Sequence, residues 1–174
     1  MIKYFFKLSI IIICLLNSSY ADSTYKYKIF NNEFQAVFPN EPNKKYIPNP
    51  FKNKDVEVYT YFDEQNKLVF QVQIMDIHIK YNTKKLQNLI DMSIKKSLPI
   101  YNKQIVDFSS SFNQYNNSYV VIYTSLEYIE GQAVYQSIKE IVYKDRIYKW
   151  CVTYQNFNNK SIFNKYSKYC KLIE

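Results

Sequence analysis

One glycine, one histidine, one arginine, three cysteines and three alanines in 174 residues exclude several classes of site at once. A P-loop, a dinucleotide-binding fingerprint and a Gly-x-Ser-x-Gly nucleophile elbow each need several glycines, where backbone approaches a ligand or takes a positive φ. Gly131 alone cannot build any of them. A zinc site fails for want of ligands, because Cys151, Cys170 and His78 fall at no finger-like spacing. No metal or cofactor is therefore expected. Proline is also scarce, and four of the five, Pro39, Pro42, Pro48 and Pro50, crowd into one segment. What is abundant is Phe, Tyr, Met, Ile, Asn and Lys, together more than half of the chain. These are residues of A/T-rich codons, so the composition reports the genome as much as the task. Hydrophobic residues at 47% against 22% charged supply a core and argue against disorder.

Residues 1–21 read MIKYFFKLSIIIICLLNSSYA. Lys3 and Lys7 precede a short apolar core, and Ser19 and Ala21 put small residues at −3 and −1, the pattern of a signal peptide cleaved after Ala21. The apolar core is far shorter than the roughly 20 residues of a membrane-spanning helix, although an uncleaved anchor is the alternative. Ile11, Ile12 and Ile13 stand where a lipidated Cys14 would need small neighbours. The expected product is an exported protein, periplasmic or secreted, with one domain over residues 22–174 and no later membrane span. Losing Lys3 and Lys7 lowers the formal net charge from +8 to +6. The doublets Lys44-Lys45, Lys84-Lys85 and Lys95-Lys96 are dispersed, so solvated surface lysine is expected and nucleic acid is not.

Apolar periodicity predicts strands over residues 25–30, 34–38, 56–62, 68–80, 105–112, 119–129, 133–143 and 147–155. Residues 39–55 are expected as a proline-rich loop without regular structure. In the strand from Leu68, the apolar phase reverses between Ile74 and Met75, which predicts a β-bulge. Without a bulge, Asp76 and His78 would share the core face as an acid–base pair. A stripe of Leu86, Leu89, Ile90, Ile94 and Leu98 predicts a helix over residues 81–98, closed by Pro99. Gly131 is expected to take the positive φ of a tight turn. A last helix presents Ile162, Phe163, Tyr166, Cys170 and Ile173 on one face. Two cysteines in an exported chain predict a disulfide, Cys151 to Cys170, with Cα atoms about 4.4–6.8 Å apart. Its loop closure is worth about 3 kcal/mol. The terminal helix would then cover the Cys151 face, and Trp150 would point to the other helix. The fold class is α+β: a mostly antiparallel meander sheet of about six to eight strands, with the mid-chain and C-terminal helices packed on it.

The run Phe34-Gln35-Ala36-Val37-Phe38-Pro39 followed by Pro42, the mid-chain amphipathic helix, the meander through Arg146-Ile147-Tyr148-Lys149-Trp150 and the terminal helix resemble the PsbP-like α/β/α sandwich family. That family also includes Ran-binding proteins of the Mog type. The resemblance covers most of the chain after residue 21 and carries no catalytic residue across. It implies an accessory or binding protein and not an enzyme; photosystem or Ran binding does not follow from it. The leading expectation is an exported binding or accessory protein that meets another protein through exposed aromatics and the proline segment. One alternative is a hydrolase using Asp76 and His78 with Ser109, Ser110 or Ser111. Another is a small-molecule carrier with an apolar pocket between sheet and helix.

Overall fold

The computed structural model describes residues 25–48, 56–76 and 83–173. The expected signal peptide, residues 49–55 of the proline segment and His78 lie outside the described residues, as does the side chain of Leu86. The strands are β1 (Tyr25–Ile29), β2 (Phe34–Phe38), β3 (Asn43–Ile47), β4 (Val56–Asp63), β5 (Leu68–Asp76), β6 (Gln104–Asn113), β7 (Ser118–Ile129), β8 (Gln132–Tyr143), β9 (Arg146–Tyr154) and β10 (Lys171–Leu172). Helix α1 (Thr83–Ile100) joins β5 to β6, and α2 (Lys160–Ser167) follows β9. Seven strands form one sheet in the order β3-β4-β5-β9-β8-β7-β6, antiparallel throughout. The other three form a small antiparallel sheet, β1-β2-β10. This is the expected α+β meander, with β1 and β2 split off to cover one of its faces.

Strand parity assigns the two faces. On the first, Phe70 and Val72 of β5 and Tyr148, Trp150 and Val152 of β9 join Phe34 and Phe38 of β2 and Phe163 of α2 in one buried cluster. Phe34 stacks on Tyr148 with ring centroids 5.4 Å apart, and Phe163 meets Trp150 at 5.2 Å. On the second, Tyr119, Val121, Ile138 and Cys151 pack against Ile90, Ile94 and Leu98 of α1. Leu89 of the expected stripe stays exposed. Asp91 fastens α1 to this face, accepting hydrogen bonds from the Tyr119 hydroxyl at 2.5 Å and Ser110 Oγ at 3.3 Å.

Five expectations are corrected. Trp150 points to α2 and Cys151 to α1, the reverse of the predicted arrangement. Tyr148, Trp150, Val152 and Tyr154 form so broad an aromatic face that α2 and the small sheet are both needed to cover it. The face of Lys149, Cys151 and Thr153 is narrower in apolar surface and suits the thin stripe of α1. Consequently Cys151 and Cys170 lie in clusters on opposite faces of the main sheet; both thiols are free and buried, and no disulfide joins them. Second, the terminal helix ends at Ser167, and Cys170 and Ile173 lie beyond it, around β10. Third, residues 39–55 are not loop throughout: β3 fits between Pro42 and Pro48 as an edge strand, where flanking prolines remove no needed ladder bond. Fourth, β5 pairs with β9 in unbroken register from Leu68 to Asp76, so no bulge occurs at Ile74–Met75. Asp76 therefore continues the Phe70 face, but at the exposed end of the strand. The register shift lies instead in β6, between Ile105 and Asp107. Fifth, Pro99 sits inside the last turn of α1. The helix ends one residue later, at Ile100, and beyond it Asn102 takes φ +57° while Lys103 N–H donates to the Leu98 carbonyl at 2.9 Å. This is a Schellman closure with asparagine in the usual glycine place.

Gly131 does take a positive φ, +79°, beside Glu130 at +52°, and Ile129 pairs with Gln132 across this two-residue turn. With no further glycine, other left-handed positions fall to Phe30, Asn31, Asn32, Lys67, Asn117 and Lys144.

Free thiols on opposite faces have a direct consequence. Unfolding midpoints measured with and without reductant should coincide, whereas a disulfide would make the oxidised protein more stable by about 2–4 kcal/mol.

Candidate functional site

At one end of the sandwich, the β1–β2 turn, the β8–β9 turn and the chain after β10 enclose a cleft of about 460 Å³. Glu33, Tyr143, Arg146, Tyr148 and Leu172 line it, with Lys144 and Asp145 from the turn at its rim. Three consecutive residues with positive φ, Phe30, Asn31 and Asn32, wind the chain so that Glu33 faces β9. Ile173 N–H holds the same turn by donating to the Glu33 carbonyl at 2.9 Å.

Arg146, the chain's sole arginine, is the hub. Its guanidinium donates to Glu33 Oε2, and its Nε lies 3.4 Å from Asp76 Oδ1. The Tyr148 hydroxyl donates to the same Glu33 oxygen at 2.7 Å. These bonds from Tyr148 and Arg146 hold the Glu33 carboxyl below the usual carboxylate range. Burial, with the adjacent carboxylate, pushes the Tyr148 phenol up to about 12. Arg146 is held still more firmly in its charged form by Glu33. At neutral pH the cluster is thus a fixed anion, a fixed cation and a neutral phenol. It offers charge and shape to a ligand, and neither Glu33 nor Tyr148 is poised to exchange a proton.

Two charged side chains in β8 are more deeply placed. Lys139 points into the first face, and its Nζ donates to the carbonyls of Ser167 and Cys170, both at 2.8 Å, capping the end of α2. Burial lowers its pKa. Glu140 points into the second face, where it accepts from the Tyr123 hydroxyl at 3.3 Å and lies 3.8 Å from Lys149 Nζ. Its pKa is raised, chiefly by burial. A carboxyl whose folded pKa exceeds the unfolded one favours folding below the unfolded pKa. That stability is lost as pH rises through the folded value. The protein should therefore lose stability as pH climbs past the ordinary carboxylate range, and Glu140→Gln, which can still accept from Tyr123, should flatten that part of the curve in a denaturant–pH series.

Among the described residues, those singled out from sequence are not assembled into one site. Asp76 is held by Arg146 at the end of β5, whereas Ser109, Ser110 and Ser111 lie in β6, four strand spacings or about 19 Å away. Ser110 donates to Asp91 instead. Burial raises the thiol of Cys151 to about 11 and that of Cys170 to about 12, which makes both poor nucleophiles. Glu33, Lys139 and Glu140 were missed. The available signal was position: two adjacent charges in a central strand covered on both faces must each point into a layer.

No protein-family model matches the sequence, and no curated protein matches it. Among solved structures the chain is similar to the solution structure of cyanobacterial PsbP (CyanoP) from Synechocystis sp. PCC 6803. The TM-score is 0.56 at 12% identity, covering 89% of this chain and 95% of that one. At that identity the likeness shows a PsbP-like fold and nothing further.

Proposed function

We propose that the chain is an exported, non-enzymatic accessory protein that binds another protein. The observation that carries this reading is the exposure of tyrosines that a self-contained fold would bury. Tyr46, Tyr101, Tyr115 and Tyr128 are all more than 60% exposed. Tyr101 and Tyr128 stand at the same end of the main sheet, where Gln104 pairs with Leu126 and Lys103 bridges to Glu127 at 3.0 Å. Ile100 and Ile129 beside them are exposed as well. Large amphipathic rings of this kind are enriched where proteins meet. The engagement of Asp76, Ser110 and both thiols in structural contacts supports a binding role over a hydrolytic one. A carrier is supported less, since Ile90, Ile94 and Leu98 pack directly on the Tyr119–Val121 face. Among the described residues no helix is long and apolar enough to cross a membrane; export rests on the leader pattern of residues 1–21.

The test is affinity capture from the extracytoplasmic fraction of the native host, comparing the native chain with a Tyr101→Ser/Tyr128→Ser variant of equal thermal stability. The proposal expects a partner that the variant no longer retains. Retention of the chain inside the cytoplasm, or a partner indifferent to both substitutions, overturns it.

A further inference from the structure

The two edges of the main sheet are guarded differently. β3 is five residues long with Lys44 and Lys45 at its centre, a common device against edge-to-edge pairing. β6, the opposite edge, is ten residues long and contains no lysine, arginine or proline. Its single charge, Asp107, is already bridged to Lys160 Nζ at 2.6 Å. The register shift between Ile105 and Asp107 bends the start of the strand alone. Residues 108–113 run in regular register with β7, and all of them but the half-buried Phe108 are exposed.

That stretch reads Phe108-Ser109-Ser110-Ser111-Phe112, the same in both directions. Antiparallel pairing with a second copy about Ser110 would set Phe108 against Phe112 of the partner subunit, twice over. Ser109 would face Ser111 of the partner subunit, and Asp107 would face Asn113 of the partner subunit, so no like charges meet. The serines stand above and below the ladder and set no charge or bulk against one another, and the aromatic pairs close each end, as favourable cross-strand pairs do. Two-fold symmetry requires one patch to complement itself, and this edge does.

We infer that β6 is a homodimer interface, pairing antiparallel about Ser110 so that one sheet runs through both copies. Sedimentation over a concentration series tests it, with circular dichroism confirming the fold of each variant. The native chain should show a monomer–dimer equilibrium. Ser109→Lys with Ser111→Lys places lysine against lysine twice and should raise the dimer dissociation constant about tenfold or more. Ser109→Lys with Ser111→Glu places opposite charges in the same two pairs and should restore dimerisation. A native chain that stays monomeric up to about 1 mM overturns the inference. So does a dimer that persists undiminished in the double-lysine variant, or a lysine–glutamate variant as monomeric as the double-lysine one.

Discussion

Trp150→Ala should destabilise the domain by about 3–5 kcal/mol, the range for emptying a large aromatic site in a packed core. Trp150 is fully buried and stands between Phe70, at 6.3 Å, and Phe163, at 5.2 Å, so its loss would loosen α2 from the sheet along with the core. Against a typical domain stability of about 5–15 kcal/mol this is a large fraction, and the melting midpoint should fall by about 10 °C or more. Trp150→Phe should cost much less. The indole Nε1 has no hydrogen-bond partner among the described residues, so the smaller ring gives up area but no polar contact. Denaturant unfolding followed by circular dichroism separates the two variants. Similar losses for both would mean that the surrounding core cannot relax around even a modest change of shape.

The second large effect is expected at Lys139. Lys139→Met keeps much of the side chain's length and removes both bonds to the carbonyls of Ser167 and Cys170. Leaving such acceptors unmet costs about 1–3 kcal/mol, and charged donors lie at the upper end, so a loss of about 2–3 kcal/mol is expected. The change should be local in character. Amide exchange of Tyr169 and Cys170, whose N–H groups bond back to Tyr166 and Ser167, should accelerate more than exchange in β7. Uniform acceleration through the sheet would show that Lys139 supports the whole core and not the end of α2. This lysine does the pinning that the sequence assigned to a disulfide.

Much of the fold was legible because its strands are long and alternate cleanly. β7, β8 and β9 lie within a residue of their predicted limits, and the mid-chain stripe of Ile90, Ile94 and Leu98 does meet the sheet. Alternation, however, divides a strand into two faces without saying which layer covers which. Cys151 and Trp150 were correctly placed on opposite faces and then given the wrong helices. Deciding between them needed the relative apolar areas of the layers, and the larger layer includes Phe34, Ala36, Val37 and Phe38 of β2, far away in sequence. The Arg146 cluster was hidden for a related reason. Asp76, Glu33 and Arg146 come from separate elements, and what brings them together is the pairing of β5 with β9 and the left-handed turn before Glu33. Neither leaves a periodic trace.

The pairing of β5 with β9 also bears on how the chain reaches this state. Strands β6 to β9 are joined by short turns and can zip hairpin by hairpin, and the β4–β5 hairpin is equally local. The β5–β9 seam instead closes across α1 and three intervening strands. Loop-closure entropy must be met there before any contact returns it, which makes this step the natural kinetic barrier. Until it closes, two half-sheets expose the strand edges that later face each other, with Phe70 and Val72 on one side and Trp150 and Val152 on the other. Substitutions along that seam that weaken contacts made at the barrier should slow refolding more than they speed unfolding, which stopped-flow refolding and unfolding rates would separate.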